Sequence, residues 1–407
     1  MEKPLKTLIL TVGMVILLAS AAAPDGISGW RGDGTGVYPA ADPPTSWDAD
    51  AKKGILWSVK VGPGFATPAV AGDRVFVSVQ DDKLVCVDAK AHKVLWEKRN
   101  AFEDLPKDIK VEEKNYPTEC GYATATPVTD GKLVWATYGT GIVACYDLDG
   151  NRKWILWIDY DQQSEHGRTA SPLLVDGKLI VTIGRLVALD PATGRKLWDQ
   201  EKAAEGLPTP AVAKIGDTTV LITGSGDVVR VSDGELVEAG IASSSIPSPV
   251  VKDGVVYFVD TSTTAVKLPA KLGEKKSFKK LWTADIEGDV FASPVVFDGI
   301  VYAVGNAGVL YAFDAAKGDV VWQKKIPIGS MGGGEGAAPA NLYPSLAIAG
   351  GKLYVFNDRG ETLVLQPGKE YKELSKNQAE EGSGACAAFD GAVIYERGSE
   401  KLYCIGK

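Results

Sequence analysis

Five residues of this chain lie in segments whose composition could support chemistry: Glu119, Tyr122, His166, Arg168 and Glu335. Glu119 and Tyr122 sit where a long charged stretch, Asn100 to Cys120, runs into Gly121 and Tyr122. His166 and Arg168 close the polar segment that begins at Asp159. His166 is one of only two histidines, and an imidazole titrates near neutrality, so it could serve as a general base or a ligand contact. No second histidine and no Ser or Cys nucleophile in a recognisable motif accompanies it, so no catalytic triad can be built. His92 belongs to a turn and is expected at the surface. Glu335 follows Gly332, Gly333 and Gly334, a run without the Lys-Ser/Thr pair of a phosphate loop. No Cys-x-x-Cys occurs, which argues against zinc and redox relays. The five residues are therefore read as contacts to a partner protein or an extended ligand. No catalytic residue and no metal site is assigned.

Residues so far apart must be brought together by a framework, and the chain repeats itself. A short apolar strand ending in Asp, a turn and a second strand carrying Trp recur. The copies are Cys86 to Trp96, Cys145 to Trp154, Ala188 to Trp198 and Ala312 to Trp322, with Asp88, Asp147, Asp190 and Asp314 at the turns. Trp57 and Trp282 mark two further copies. A small residue followed by Pro precedes each unit, as in Thr67-Pro68, Thr126-Pro127, Ser171-Pro172, Thr209-Pro210, Ser248-Pro249 and Ser293-Pro294. Tyr343-Pro344-Ser345 is a looser copy, and Ala385-Cys386 has lost its Pro. Four short strands per unit at a period of about 40–45 residues mark a β-propeller blade.

The count gives an all-β, eight-bladed β-propeller of four-stranded antiparallel blades. The last unit, Ala385 to Ile405, has three strands. The missing one is supplied by Ile55 to Lys60, so an N-terminal strand completes the C-terminal blade and no sheet edge is left open at the junction. The Trp residues recur at blade spacing and are expected to dock neighbouring blades. Cys86, Cys145 and Cys404 stand at the small position held by Ala188 and Ala312, so packing is expected there, with inter-blade disulfides the alternative. Cys120 and Cys386 lie in segments entering blades 2 and 8, and their pairing is left open.

The Ala-x-Asp-x-x-Thr-Gly-x-x-x-Trp pattern resembles the PQQ-type repeat of pyrroloquinoline-quinone alcohol dehydrogenases and of the outer-membrane assembly protein BamB. The resemblance spans roughly Trp30 to the end. In the dehydrogenases it implies a quinone held with calcium by Glu, Asn and Asp, an Asp base, a Trp floor and a lid of adjacent cysteines. This sequence has no Cys-Cys pair, and that ligand set finds no residue-by-residue match. The expectation is a non-catalytic binding or assembly scaffold without a cofactor. The alternative is a PQQ- and calcium-dependent dehydrogenase acting on an alcohol or sugar.

Residues 1–23 resemble a secretory signal, with Lys3 and Lys6 before a short apolar run and Ala21 to Ala23 offering a cleavage site. A periplasmic or secreted location follows. No Cys succeeds the apolar run, so no lipid anchor on an N-terminal Cys is expected. Residues 24–54 read as an extended lead-in packed across one face, with 55–407 as the propeller. Trp30 to Gly36 lacks the later acidic ligands of a calcium loop. With 52 acidic and 44 basic residues the chain has no general affinity for nucleic acid. A monomer is expected.

Overall fold

The computed structural model describes residues 27–111, 120–160, 169–203, 207–273, 278–328 and 340–407. Eight antiparallel blades stand around one axis. Blade 1 comprises Ala69–Ala71, Arg74–Val79, Lys83–Asp88 and Lys93–Arg99, and the later blades repeat that order from the axis outward. The two middle strands of a blade are buried on both faces between neighbouring blades, as in Arg74–Val79, where five of six residues are buried. β-branched and aromatic residues suit such strands because each face packs against a pleated neighbour. The core is accordingly a ring of inter-blade clusters rather than a single centre.

Closure occurs where the sequence placed it. Residues 37 and 38 form a first short strand, β1 (Val37–Tyr38), and β2 (Ile55–Lys60) follows. β2 pairs antiparallel with Lys401–Ile405, Trp57 lying opposite Cys404, and so becomes the outer strand of blade 8. β1 adds a feature the sequence reading did not include. It pairs parallel with Ala347–Ala349, the innermost strand of blade 7, and makes that sheet five-stranded.

The lead-in does more than lie on one face. The Val70 amide of blade 1 donates to Ser28 Oγ at 2.9 Å, and Ser28 bridges Thr129 of blade 2. Three residues further on, Arg31 Nη2 donates to Pro294 O of blade 6 at 2.6 Å and to Leu346 O of blade 7 at 2.8 Å. The segment thus crosses beneath the central channel as a chord. Trp47 is buried in the cluster between blades 7 and 8, and its amide donates to Asn377 Oδ1 at 2.9 Å.

The repeated Asp and Trp act locally in one way. Asp88 Oδ1 accepts from the amides of Lys90 and Ala91, Asp190 Oδ1 from Ala192 and Thr193, and Asp314 Oδ1 from Ala316 and Lys317. Asp147 does the same for Asp149 and Asn151. Each Trp indole then donates to a carbonyl in the next blade's turn. Trp96 reaches Leu148 O, Trp154 reaches Pro191 O, Trp198 reaches Val231 O and Trp282 reaches Ala315 O, all near 3.0 Å. Trp322 reaches Gly368 O at 2.9 Å. Trp57 instead stacks on the exposed His92 ring in the blade 1 turn, at 5.5 Å between centroids, and so carries the docking across the closure.

Candidate functional site

The channel holds a cavity of about 510 Å³, and its wall is two stacked rings with one residue from every blade in each. The lower ring is the small residue that precedes the innermost strand: Thr67, Thr126, Ser171, Thr209, Ser248, Ser293, Ser345 and Cys386. Innermost strands are sheet edges, whose amides need partners. Here the side chain of the next blade supplies them. The amides of Thr126, Ser171, Thr209, Ser248 and Ser293 donate to the hydroxyl at the same position one blade on, at 2.9–3.0 Å. Ser345 donates to Cys386 Sγ at 3.2 Å. A Pro after most of these residues restricts them to extended backbone, which holds amide and side chain in the plane of the ring. The small-residue–Pro pattern is therefore an inter-blade clasp.

A measurable consequence follows. Ser248→Ala leaves the buried Thr209 amide without an acceptor and is expected to cost about 1–3 kcal/mol. Ser248→Thr keeps an acceptor and should stay near the parent. Calorimetric melting of the three proteins checks this, and equal melting of the Ala and Thr variants would remove the clasp from the account.

The upper ring stands two residues earlier in each blade: Phe65, Thr124, Thr169, Leu207, Ile246, Phe291, Tyr343 and Gly384. It is uneven. Phe291 and Tyr343 lie 5.1 Å apart between centroids. Gly384 has Tyr343 on one side and Phe65 on the other, each within 3.7 Å of where a Cβ would stand. Phe291, Tyr343 and Phe65 thus make an aromatic arc over blades 6, 7 and 1. Phe65 is 46% and Tyr343 44% exposed, which identifies this end as the open mouth. Burial, then Asp358 and Cys120, push the Tyr343 phenol above its ordinary range, so it stays a neutral hydroxyl. Trp30, from the lead-in, lines the same cavity.

Of the residues proposed from sequence, Tyr122 is described. Its amide donates to Gln80 Oε1 at 2.8 Å, its carbonyl accepts from Gly139 at 2.7 Å, and its ring packs on the core between blades 2 and 3. It does not line the cavity, although Cys120, two residues earlier, does. Glu119, His166, Arg168 and Glu335 lie outside the described residues. In the sequence, Glu119 directly precedes Cys120, and Arg168 directly precedes Thr169, and both Cys120 and Thr169 line the cavity. Asn100, which opens the charged stretch ending at Cys120, is fully buried and bonds Tyr138 Oη at 3.0 Å, so that insertion is anchored between blades 1 and 2. The aromatic arc had no signal in the sequence, because the upper-ring residue type changes from blade to blade.

The cavity can be tested against the group implied by the quinoprotein resemblance. Calcium needs several hard oxygen ligands, commonly carboxylates. The described lining contains no Asp or Glu, and among the described residues no three His, Cys, Asp or Glu side chains cluster to hold an ion. The described wall does not fit a calcium–quinone pair. What it offers is hydroxyls, one thiol in the lower ring and an exposed aromatic surface, which suit binding.

The family model described as outer membrane protein assembly factor BamB matches residues 40–275 and 231–407. Among solved structures, BamB from Moraxella catarrhalis is similar with a TM-score of 0.60 at 11% identity, covering 87% of this chain and 99% of that one. A quinohemoprotein alcohol dehydrogenase from Pseudomonas putida is similar with a TM-score of 0.60 at 12% identity, covering 87% and 76%. The computationally designed Ika8 protein is similar at 0.55 and 12%, covering 87% and 99%. Likeness at this identity concerns the fold. No curated protein matches the chain.

Proposed function

The chain belongs to the family of outer membrane protein assembly factor BamB, and from that premise we propose that it is a non-catalytic binding scaffold of the periplasm or the secreted space. The observation that carries the reading is the aromatic arc of Phe65, Tyr343 and Phe291 at the open mouth. Exposed aromatics on a rigid frame supply contact area at little entropic cost, and interface hot spots are enriched in such residues. The occupant is an extended segment of a partner protein, whose apolar side chain enters the mouth above the hydroxyl ring. The loops carrying Glu119, His166, Arg168 and Glu335 would add polar contacts around it, and loops on a rigid scaffold commonly carry function. The reading needs no metal or quinone. No helix of the described residues is long and apolar enough to cross a membrane, which is compatible with this placement.

The test compares the parent chain with a Phe65→Ala/Tyr343→Ala variant as bait in extracts of the compartment, with a His166→Ala/Arg168→Ala variant beside it. Truncating two hot-spot aromatics typically costs at least 2 kcal/mol, a loss of about thirtyfold or more in affinity. Both substitutions are at exposed positions, so the melting temperature should hold. Equal capture by the aromatic variant would overturn the site. Saturable binding of PQQ with calcium would instead favour a dehydrogenase.

A further inference from the structure

The inner end of the channel combines an aromatic surface with an uncharged polar wall. Trp30 lines the cavity and lies between two anchored neighbours in the lead-in. Ser28 is bonded to Val70 and Thr129 of blades 1 and 2, and Arg31 to Pro294 and Leu346 of blades 6 and 7. All four anchor points follow the lower-ring residue of their blade, whereas the upper ring precedes it, so Trp30 stands at the end away from the mouth. The Arg31 guanidinium lies over the Trp30 ring, 5.3 Å from its centroid. Arg31 is itself buried and held by two carbonyls, so the indole is fixed before any ligand arrives.

Around this end runs the lower ring, with seven hydroxyls. Five of them, on Ser171, Thr209, Ser248, Ser293 and Ser345, accept a clasp amide. Among the described residues none of the five donates its own hydrogen to a protein acceptor. Thr67 and Thr126 go further. They are 2% and 1% exposed and line the cavity, and their hydroxyls make no hydrogen bond among the described residues. Buried hydroxyls without partners carry a penalty unless the cavity's contents meet them. The chemistry that can meet them here is narrow. An apolar ligand would strand the hydroxyls. A cation would find no carboxylate in the described lining, and an anion no lysine or arginine. A neutral molecule rich in hydroxyls, with one apolar face to lie on an indole, satisfies both surfaces.

We propose that the inner end of the channel binds a short neutral saccharide. The C–H face of one sugar ring lies on Trp30. The sugar hydroxyls, each both donor and acceptor, exchange hydrogen bonds with Thr67, Thr126 and the unused hydrogens of the clasp hydroxyls. The cavity of about 510 Å³ falls within the range of small-ligand pockets, and the open mouth is its entrance. The site lies below the aromatic arc, so it stands whether or not a partner segment occupies the mouth.

The experiment titrates the folded full-length protein with maltose, cellobiose and N,N′-diacetylchitobiose by isothermal calorimetry. Gluconate, glucosamine and cyclohexanol serve as anionic, cationic and apolar comparisons. At least one disaccharide is expected to bind saturably, and no comparison compound to bind as tightly. A Thr67→Val/Thr126→Val variant keeps side-chain shape and takes no acceptor from any amide. It should melt near the parent while its affinity for the disaccharide falls about tenfold or more. Trp30→Ala should weaken binding at least as much, and Trp30→Phe, which keeps a ring, should lie between Ala and the parent. No saturable binding of any disaccharide by the parent overturns the proposal. Affinity unchanged in either folded variant, Trp30→Ala or the double Val protein, places the sugar elsewhere and overturns the site. A comparison compound bound as tightly as the disaccharide overturns the assigned chemistry.

Discussion

Replacing Trp282 by Ala is expected to destabilise the propeller by about 3–5 kcal/mol, the range for removing a large buried aromatic side chain. Trp282 is buried between blades 5 and 6, 6.0 Å from the Tyr257 ring and 6.4 Å from the Phe313 ring. Its indole nitrogen donates to Ala315 O, and Tyr257 Oη donates to the same carbonyl at 3.2 Å. Ala315 and Gly318 belong to the blade 6 turn, so one side chain fixes the angle between two blades. Gly318 adopts φ +78°, and a Cβ there would stand 2.6 Å from the indole. Gly318→Ala should therefore mimic part of the loss while leaving every Trp282 atom in place. Guanidinium unfolding decides the matter: the midpoint should fall in both variants. A Trp282→Ala protein within about 1 kcal/mol of the parent would show that the blades do not depend on the docking.

The second large effect concerns pH. Glu396 lies in the second strand of blade 8, on the face shared with Ile394 that packs toward blade 7. It is 5% exposed and its Oε2 has no hydrogen-bond partner. Burial alone raises its carboxyl from an ordinary 4.5 to about 8. The folded protein thus holds a proton that the unfolded chain has released across that window. Stability from this group is fully present below the ordinary carboxylate value and is lost as pH rises toward 8, at up to about 1.4 kcal/mol per pH unit. Carboxylates such as Asp190, held low by hydrogen bonds from Thr193, act the other way and lose their contribution as pH falls. Comparing the parent with Glu396→Gln cancels those shared terms. The variant cannot ionise, so at pH 8.5 it should melt well above the parent, and the gap should close toward pH 5. Parallel melting curves from pH 5 to 9 would mean that Glu396 is ionised in the folded state.

Much of the framework was legible because its signals are local. An Asp that caps its own turn and a Trp one strand later can be counted along the chain, and the shortfall of one strand in the last unit pointed to Ile55–Lys60. Both depend on short-range turn chemistry and strand periodicity, which sequence carries directly. The small-residue–Pro pattern was visible too, but only as punctuation before a strand. Its function is a contact between residues 38–52 positions apart, from Ser171–Thr209 to Ser293–Ser345. The site was the least legible part. Phe65, Phe291 and Tyr343 share a place in the blade but not a residue type, so no repeat could flag them.

By itself, then, the sequence determined the number of blades, their order, their closure and the docking residues, because a repeated local pattern admits few other folds. The tertiary structure decided what faces the axis. It turned eight separate Ser, Thr and Cys side chains into one ring and sent the lead-in beneath the channel, where Arg31 bonds carbonyls of blades 6 and 7. It also buried Glu396 in a strand whose alternation would allow a solvent-facing carboxylate. Which side chains converge depends on the rotation of each blade about a common axis, and linear spacing does not record that rotation.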